Sequence, residues 1–336
     1  MIIDCHGHYT TAPGELAAYR DQQQTELEAD PLARSGPGTL QISDQQIRDS
    51  LEGAQLKMQS DRGTDLTIFS PRASGMGHHI GNQHTSRFWT EHCNELIHRI
   101  VDLYPTNFVG VAQLPQSPGV SMDTSIIELN RCVNEFGFIG CNLNPDPSGG
   151  YWTGPPMGDR YWYPFYEQMC ELDVPAMIHV SAACNPAFHT TGSHYLGADT
   201  TAFMQLITSD VLRDFPSIRF IIPHGGGAVP YHWGRFRGLV QAMDKPPLEE
   251  LVLDNVFFDT CVYHQAGIDL LLTVIPPKNI LFASELLGAV RGIDPHSGHH
   301  YDDTRRYIDA SSNTDDQARS MIYADNARRV FPRLKA

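Results

Sequence analysis

Basic residues are scarce: 24 lysines and arginines face 39 aspartates and glutamates, leaving a formal net charge of −15. Such a chain repels polyanions, so binding to nucleic acid or an anionic membrane surface requires a basic stripe, and none is found. Long hydrophobic runs are missing too. No segment supplies the roughly 18 apolar residues of a membrane span, and the opening Met1-Ile2-Ile3-Asp4 lacks the basic start of a signal peptide. A cytoplasmic location is expected. The 7 cysteines, at Cys5, Cys93, Cys132, Cys141, Cys170, Cys184 and Cys261, include no C-x-x-C pair. That argues against a redox motif or a thiolate zinc ribbon and points to reduced, mostly buried thiols. No low-complexity tract, internal repeat or interdomain linker divides the chain, so one domain over residues 1–336 is expected.

What is present fits an ordinary globular enzyme. Hydrophobic residues make up 41% and charged residues 19%, enough apolar material to bury a substantial core. Short β-rich runs recur at Ile2–Cys5, Asp65–Phe69, Phe108–Leu114, Phe138–Leu143, Ala176–Val180, Ile218–Ile222, Val256–Phe258 and Ile280–Ala283. They are continuous rather than alternating, as parallel strands buried on both faces are. Between them lie helical stripes with apolar spacings of three and four, such as Trp89, Cys93, Leu96, Ile97 and Ile100, then Ile126, Leu129 and Val133, then Phe203, Leu206 and Ile207. Eight alternating units predict an α/β fold, a (β/α)8 TIM-type barrel with right-handed crossovers. The long gaps, Tyr9 to about Leu40, Asn144–Tyr163, Ser181–Thr200 and Leu286–Tyr301, all follow a strand C-terminus, the face where barrels carry active sites.

With 16 histidines, placement matters more than number. Asp4-Cys5-His6-Gly7-His8 ends the first strand, where residues two apart share a face roughly 6.5 Å apart, so His6 and His8 can converge on one ion. Gly7 lets backbone pass close by. His179 closes the apolar fifth strand; alone it reads as a core histidine satisfied by one hydrogen bond. His224 ends the sixth strand before Gly225-Gly226-Gly227, without the Lys and Ser/Thr that a phosphate loop needs. Glu285 follows the eighth strand, where a lone acid can simply cap a helix. Convergence of all five on one pocket explains what the separate structural readings do not. Imidazoles with a carboxylate suit Zn2+, with Mn2+ or Fe2+ also compatible.

The His-x-His start, His179, His224 with its glycines and the strand-eight acid resemble the amidohydrolase superfamily, in its decarboxylase-like branch, over the whole chain. That superfamily usually has aspartate after serine at the last strand; here the pair is Ser284-Glu285. Thr67 to Arg72, Asn142 to Gly150, His224 to Gly238, and Phe282 to Glu285 are similar to segments of hydratases in this branch. Those act in the protocatechuate 4,5-cleavage route of aromatic catabolism, on an unsaturated tricarboxylic keto acid. The resemblance implies one zinc per subunit, held by His6, His8, His179 and Glu285. Hydration also needs groups that move protons, for which His224 or Glu285 is the candidate acid and Glu285 the candidate base. It also implies a homodimer or larger homo-oligomer.

Arg72, Arg235, Arg237 and Arg291 follow predicted strands in a chain with few arginines, and guanidinium binds carboxylates in bidentate fashion. Surface ion pairing is their alternative role. Arg72 is the leading candidate because Ser70 and Arg72 share a strand face, with Asn185, His194 and Tyr195 completing a clamp from the loop after His179. That loop could instead form a dimer contact. Other activities consistent with the same ligands are nonoxidative decarboxylation of an aromatic or dienoic acid, or lactone or amide hydrolysis. A non-catalytic barrel stapled by the same histidines is the fourth reading.

Overall fold

Each strand sends alternate side chains to opposite faces, and two separate apolar clusters mark those faces. The computed structural model describes residues 1–34 and 36–335. Its eight strands are β1 (Ile3–Tyr9), β2 (Leu66–Pro71), β3 (Phe108–Gly110), β4 (Cys141–Leu143), β5 (Ala176–Ile178), β6 (Phe220–Ile222), β7 (Val256–Asp259) and β8 (Ile280–Leu281). All pair in parallel, β1-β2-β3 in one ladder and β4 through β8 in another. A parallel bridge between Ala112 and Cys141 joins the ladders, and the Cys5 amide donates to the Phe282 carbonyl at 2.9 Å. The ring of strands is therefore closed, the barrel that the strand–helix alternation predicts.

The interior holds Ile3, Cys5, Leu66, Ile68, Met177, Ile221, Phe257 and Leu281, and the C-terminal Ala327, Val330 and Phe331 plug its base. Their neighbours Phe69, Phe108, Ile178, Phe220, Ile222, Phe258 and Phe282 face outward and pack beneath the surrounding helices. Period-two geometry then aims the residues that follow the interior set at the barrel mouth: His179 after Met177, and Asp259 after Phe257.

β1 obeys a further rule. Its register against β2 slips between Asp4 and Gly7, a bulge. An extra residue re-aims the side chains beyond it, so Ile3 and Cys5 fill the interior while His6 and His8 still point into the site. Gly7 allows this because a Cβ there would collide with the Thr67 methyl group. Several strands are shorter than their apolar runs, β8 stopping at Leu281 and β5 at Ile178. The chain leaves the ladder there to form the loops that carry the site. The segment after β1, rich in Gln, Gly and Pro, contains helix α1 (Gly14–Ala29). Among the described residues no helix is long and apolar enough to cross a membrane.

Candidate metal centre and active site

Three histidines present bare nitrogens to one point. His6 Nδ1 lies 2.8 Å from Asp259 Oδ2. Burial alone would raise the Asp259 pKa, but the hydrogen bond from His6, the charge of His224 and the Gly225 amide bring it below its usual value. An ionised carboxylate only accepts, so His6 carries its proton on Nδ1. His179 Nδ1 lies 2.9 Å from the Val180 carbonyl, which likewise only accepts. His8 Nδ1 lies 2.7 Å from Ser70 Oγ. That hydroxyl has the Gly7 and Pro71 carbonyls as its own acceptors, at 3.3 and 3.0 Å, and thus takes the His8 proton on a lone pair. All three Nε2 atoms are left as unprotonated lone pairs.

Those lone pairs nevertheless crowd together, with His6 and His8 Nε2 3.0 Å apart and His8 and His179 Nε2 3.2 Å apart. Burial and the neighbouring imidazoles hold the His8 and His179 pKa values well below normal, so both rings stay neutral, with one proton each on Nδ1. Lone pairs facing one another in a dry site repel unless a cation lies between them. Ligands about 2.0–2.1 Å from a tetrahedral Zn2+ stand roughly 3.3 Å apart. The donor set fits a metal ion.

Glu285 and His224 complete the ring. Ligand atoms of His6, His179, His224 and Glu285 all lie within 4.8 Å of one another. Tyr263 donates its hydroxyl to Glu285 Oε2 at 2.6 Å. His224 pairs through Nδ1 with Asp199 Oδ2 at 2.9 Å, while its buried Nε2 has no partner among the described residues. Burial alone would lower the His224 pKa, but the carboxylates of Asp199, Glu285 and Asp259 raise it to about 9. His224, Tyr263 and Glu285 have φ of +52°, +63° and +51°, each conformation costing roughly 1–2 kcal/mol in a non-glycine residue. Such strain concentrates at sites that the surrounding structure holds in place.

Asp4 provides part of that hold, accepting hydrogen bonds from the Ser284 hydroxyl, from Ser284 N at 3.2 Å and from His6 N at 3.0 Å. It fastens β1 to the residue before Glu285. Above the centre opens a cavity of about 690 Å³, whose walls include His8, Arg72, Tyr195 and Glu285.

The other sequence candidates take different positions. Ser70 is buried behind His8 and supports that ring instead of facing the cavity. Asn185 donates to the Gly150 carbonyl at 2.9 Å, fastening one loop to another, and the buried His194 packs against Phe188. Arg235 is exposed on the helix Trp233–Ala242. Arg291 is exposed and donates to the Leu287 carbonyl at 3.0 Å. Sequence reasoning missed Asp4, Asp199, Asp259 and Tyr263. Asp259 could have been found, since it lies two residues beyond an inward Phe257; Asp199 sits within a helix and carries no comparable signal.

A model of the family described as Amidohydrolase matches residues 3–333. A 2-keto-4-carboxy-3-hexenedioate hydratase of Sphingobium sp. is 60% identical over 336 residues, covering 100% of this chain and 97% of that protein. The crystal structure of a 4-oxalomesaconate hydratase from Rhodopseudomonas palustris matches with a TM-score of 0.91 and 57% identity, covering 99% and 96% of the two chains. A dihydroxybenzoic acid decarboxylase from Polaromonas sp., solved with bound manganese and an inhibitor, has the same fold: TM-score 0.67 and 20% identity, over 100% and 98% of the chains.

Proposed function

The chain belongs to the amidohydrolase family, and from that premise we propose that it is a metal-dependent hydratase. It adds water to the conjugated double bond of 2-keto-4-carboxy-3-hexenedioate, also called 4-oxalomesaconate, giving 4-carboxy-4-hydroxy-2-oxoadipate. The observation that carries this reading is likeness over the full chain to two hydratases at 60% and 57% identity. Similarity to decarboxylases is distant by comparison, at 26% identity over 61% of the chain for one γ-resorcylate decarboxylase.

In this reading His6, His8, His179 and Glu285 hold the ion, and zinc is the metal. A cation held there supplies Lewis acidity and lowers the pKa of water toward about 7. The protein's own groups do the rest. Glu285, anchored through Oε2, has a second carboxylate oxygen to take a proton from the attacking water. The water oxygen bonds to C4 of the substrate, and the C3–C4 π electrons move toward C2, giving an enolate on the ketone oxygen. Arg72 and the Tyr195 hydroxyl, both on the cavity wall, stabilise that charge and the carboxylates. Burial pushes the Tyr195 pKa up, so the phenol stays a donor. Protonated His224, paired with Asp199, delivers a proton from Nε2 to C3.

Arg291 joins substrate from the loop that also brings Gly288 and Ala289 to the cavity, and Arg235 reaches a site only from a neighbouring copy. Residues 1–336 act as one cytoplasmic catalytic unit in a homodimer or larger assembly. The test is absorbance of the conjugated keto acid with metal-loaded protein. Loss of the chromophore without CO2 release, abolished in Glu285→Gln, supports hydration. An inert chromophore together with CO2 release from an aromatic acid would establish the decarboxylase instead.

A further inference from the structure

Arg20 is the one lysine or arginine that is buried among the described residues, 6% exposed. Burying a guanidinium is unfavourable unless a carboxylate compensates it, yet its hydrogen-bond partners are neutral. They are Gln23 Oε1 at 2.9 Å and the carbonyls of Met76 and Gly77 at 3.0 and 3.1 Å. Its Nε has no hydrogen-bond partner among the described residues. The group also lies 4.9 Å from the centre of the Trp89 ring. In a chain with 39 acidic residues, a buried cation left without an acid calls for an explanation.

Arg20 lines a second cavity of about 300 Å³, between α1 and the helix Gln83–Leu103. Leu16, Trp89 and Leu96 form much of its apolar wall, and Asp21 stands exposed at its rim. Arg72, Thr10 and Gly75 line this cavity and the catalytic one alike. Arg72 donates from Nε to Ser74 Oγ at 2.7 Å and makes no ion pair among the described residues. An apolar recess with an indole wall and two guanidinium groups lacking acids has the composition of a binding site for a small apolar anion.

We propose that this annex binds a small aromatic carboxylate, its ring against Trp89 and its carboxylate paired with the guanidinium groups of Arg20 and Arg72. A ligand there engages Arg72, which also lines the catalytic cavity. It therefore competes with the substrate carboxylates for the same cation. The competing explanation, that Arg20 only staples the Met76 and Gly77 carbonyls to α1, predicts no ligand.

The test uses benzoate as probe and calorimetry on the metal-loaded protein, so its outcome does not depend on whether hydration is confirmed. One benzoate per chain is expected. Arg20→Gln, which removes the charge, weakens binding roughly tenfold or more. Ala17→Phe, on the exposed wall of the annex, fills the space without touching Arg20's bonds and weakens it by a similar factor, with melting unchanged. Benzoate binding that survives Ala17→Phe, or no binding to the unaltered protein at tens of millimolar, overturns the proposal.

Discussion

Replacing Asp259 with asparagine exchanges one carboxylate oxygen for an amide nitrogen in the wall of the metal centre, and the geometry leaves the new group no comfortable orientation. Asp259 Oδ2 accepts from His6 Nδ1 at 2.8 Å, while Oδ1 accepts from the Gly225 and Cys261 amides at 2.9 and 3.0 Å. If the asparagine oxygen keeps the two backbone donors, its NH2 faces the His6 N–H. His6 must then move its proton to Nε2, where it blocks the lone pair meant for the ion. If the asparagine turns over, His6 is satisfied but two buried amides lose their acceptor. Either choice forfeits a charge-assisted bond of about 1.5–3 kcal/mol, so metal affinity should fall roughly 10- to 100-fold, the usual range for partners of metal-bound histidines. Equilibrium competition against a chelator of known affinity measures this, with the melting temperature of metal-free protein as control. Affinity within about twofold of the unaltered protein would refute the tautomer argument.

Two further substitutions separate groups that geometry alone brings together. His8→Ala should leave purified protein nearly free of metal, whereas His224→Ala should retain the ion and lose roughly 10²-fold or more in turnover, as removal of a general acid does; elemental analysis of both variants decides, and a metal-free His224→Ala would reverse the assignment. Phe331 is 3% exposed in the plug at the base of the barrel, and Phe331→Ala should cost about 3–5 kcal/mol of stability. Urea denaturation showing less than about 1 kcal/mol would mean that the plug does not support the interior cluster.

The fold was legible because its signal is repeated: eight apolar runs of strand length, with helical stripes between them, leave few alternatives to a parallel barrel. Residues at strand ends were legible for the same reason, since His179 and Glu285 follow runs whose inward face is set by alternation. The bulge in β1 was not, because it depends on how Gly7 meets Thr67 across the ladder, a contact between residues 60 positions apart. Helix α1 was hidden for another reason. Its residues are good helix formers, but only Tyr19, Arg20 and Gln23 are buried, so it has no apolar stripe to read. Asp199 and Tyr263 matter through single hydrogen bonds to His224 and Glu285, and pairs of that kind appear only once the chain is folded. Ser70 illustrates the same limit. It follows Leu66 and Ile68 on the inward side of β2, but His8 stands between it and the cavity.

Everything in the chemistry depends on a cation shared by three imidazoles and a glutamate. A crystal of the metal-loaded protein, with diffraction data collected on both sides of the zinc absorption edge, locates that ion directly. The expected result is one anomalous peak about 2.0–2.1 Å from Nε2 of His6, His8 and His179 and about 2.0–2.2 Å from a Glu285 oxygen, with His224 still paired to Asp199. A peak bonded to His224 in place of His8, or a fully active crystal without any peak among these groups, would contradict it.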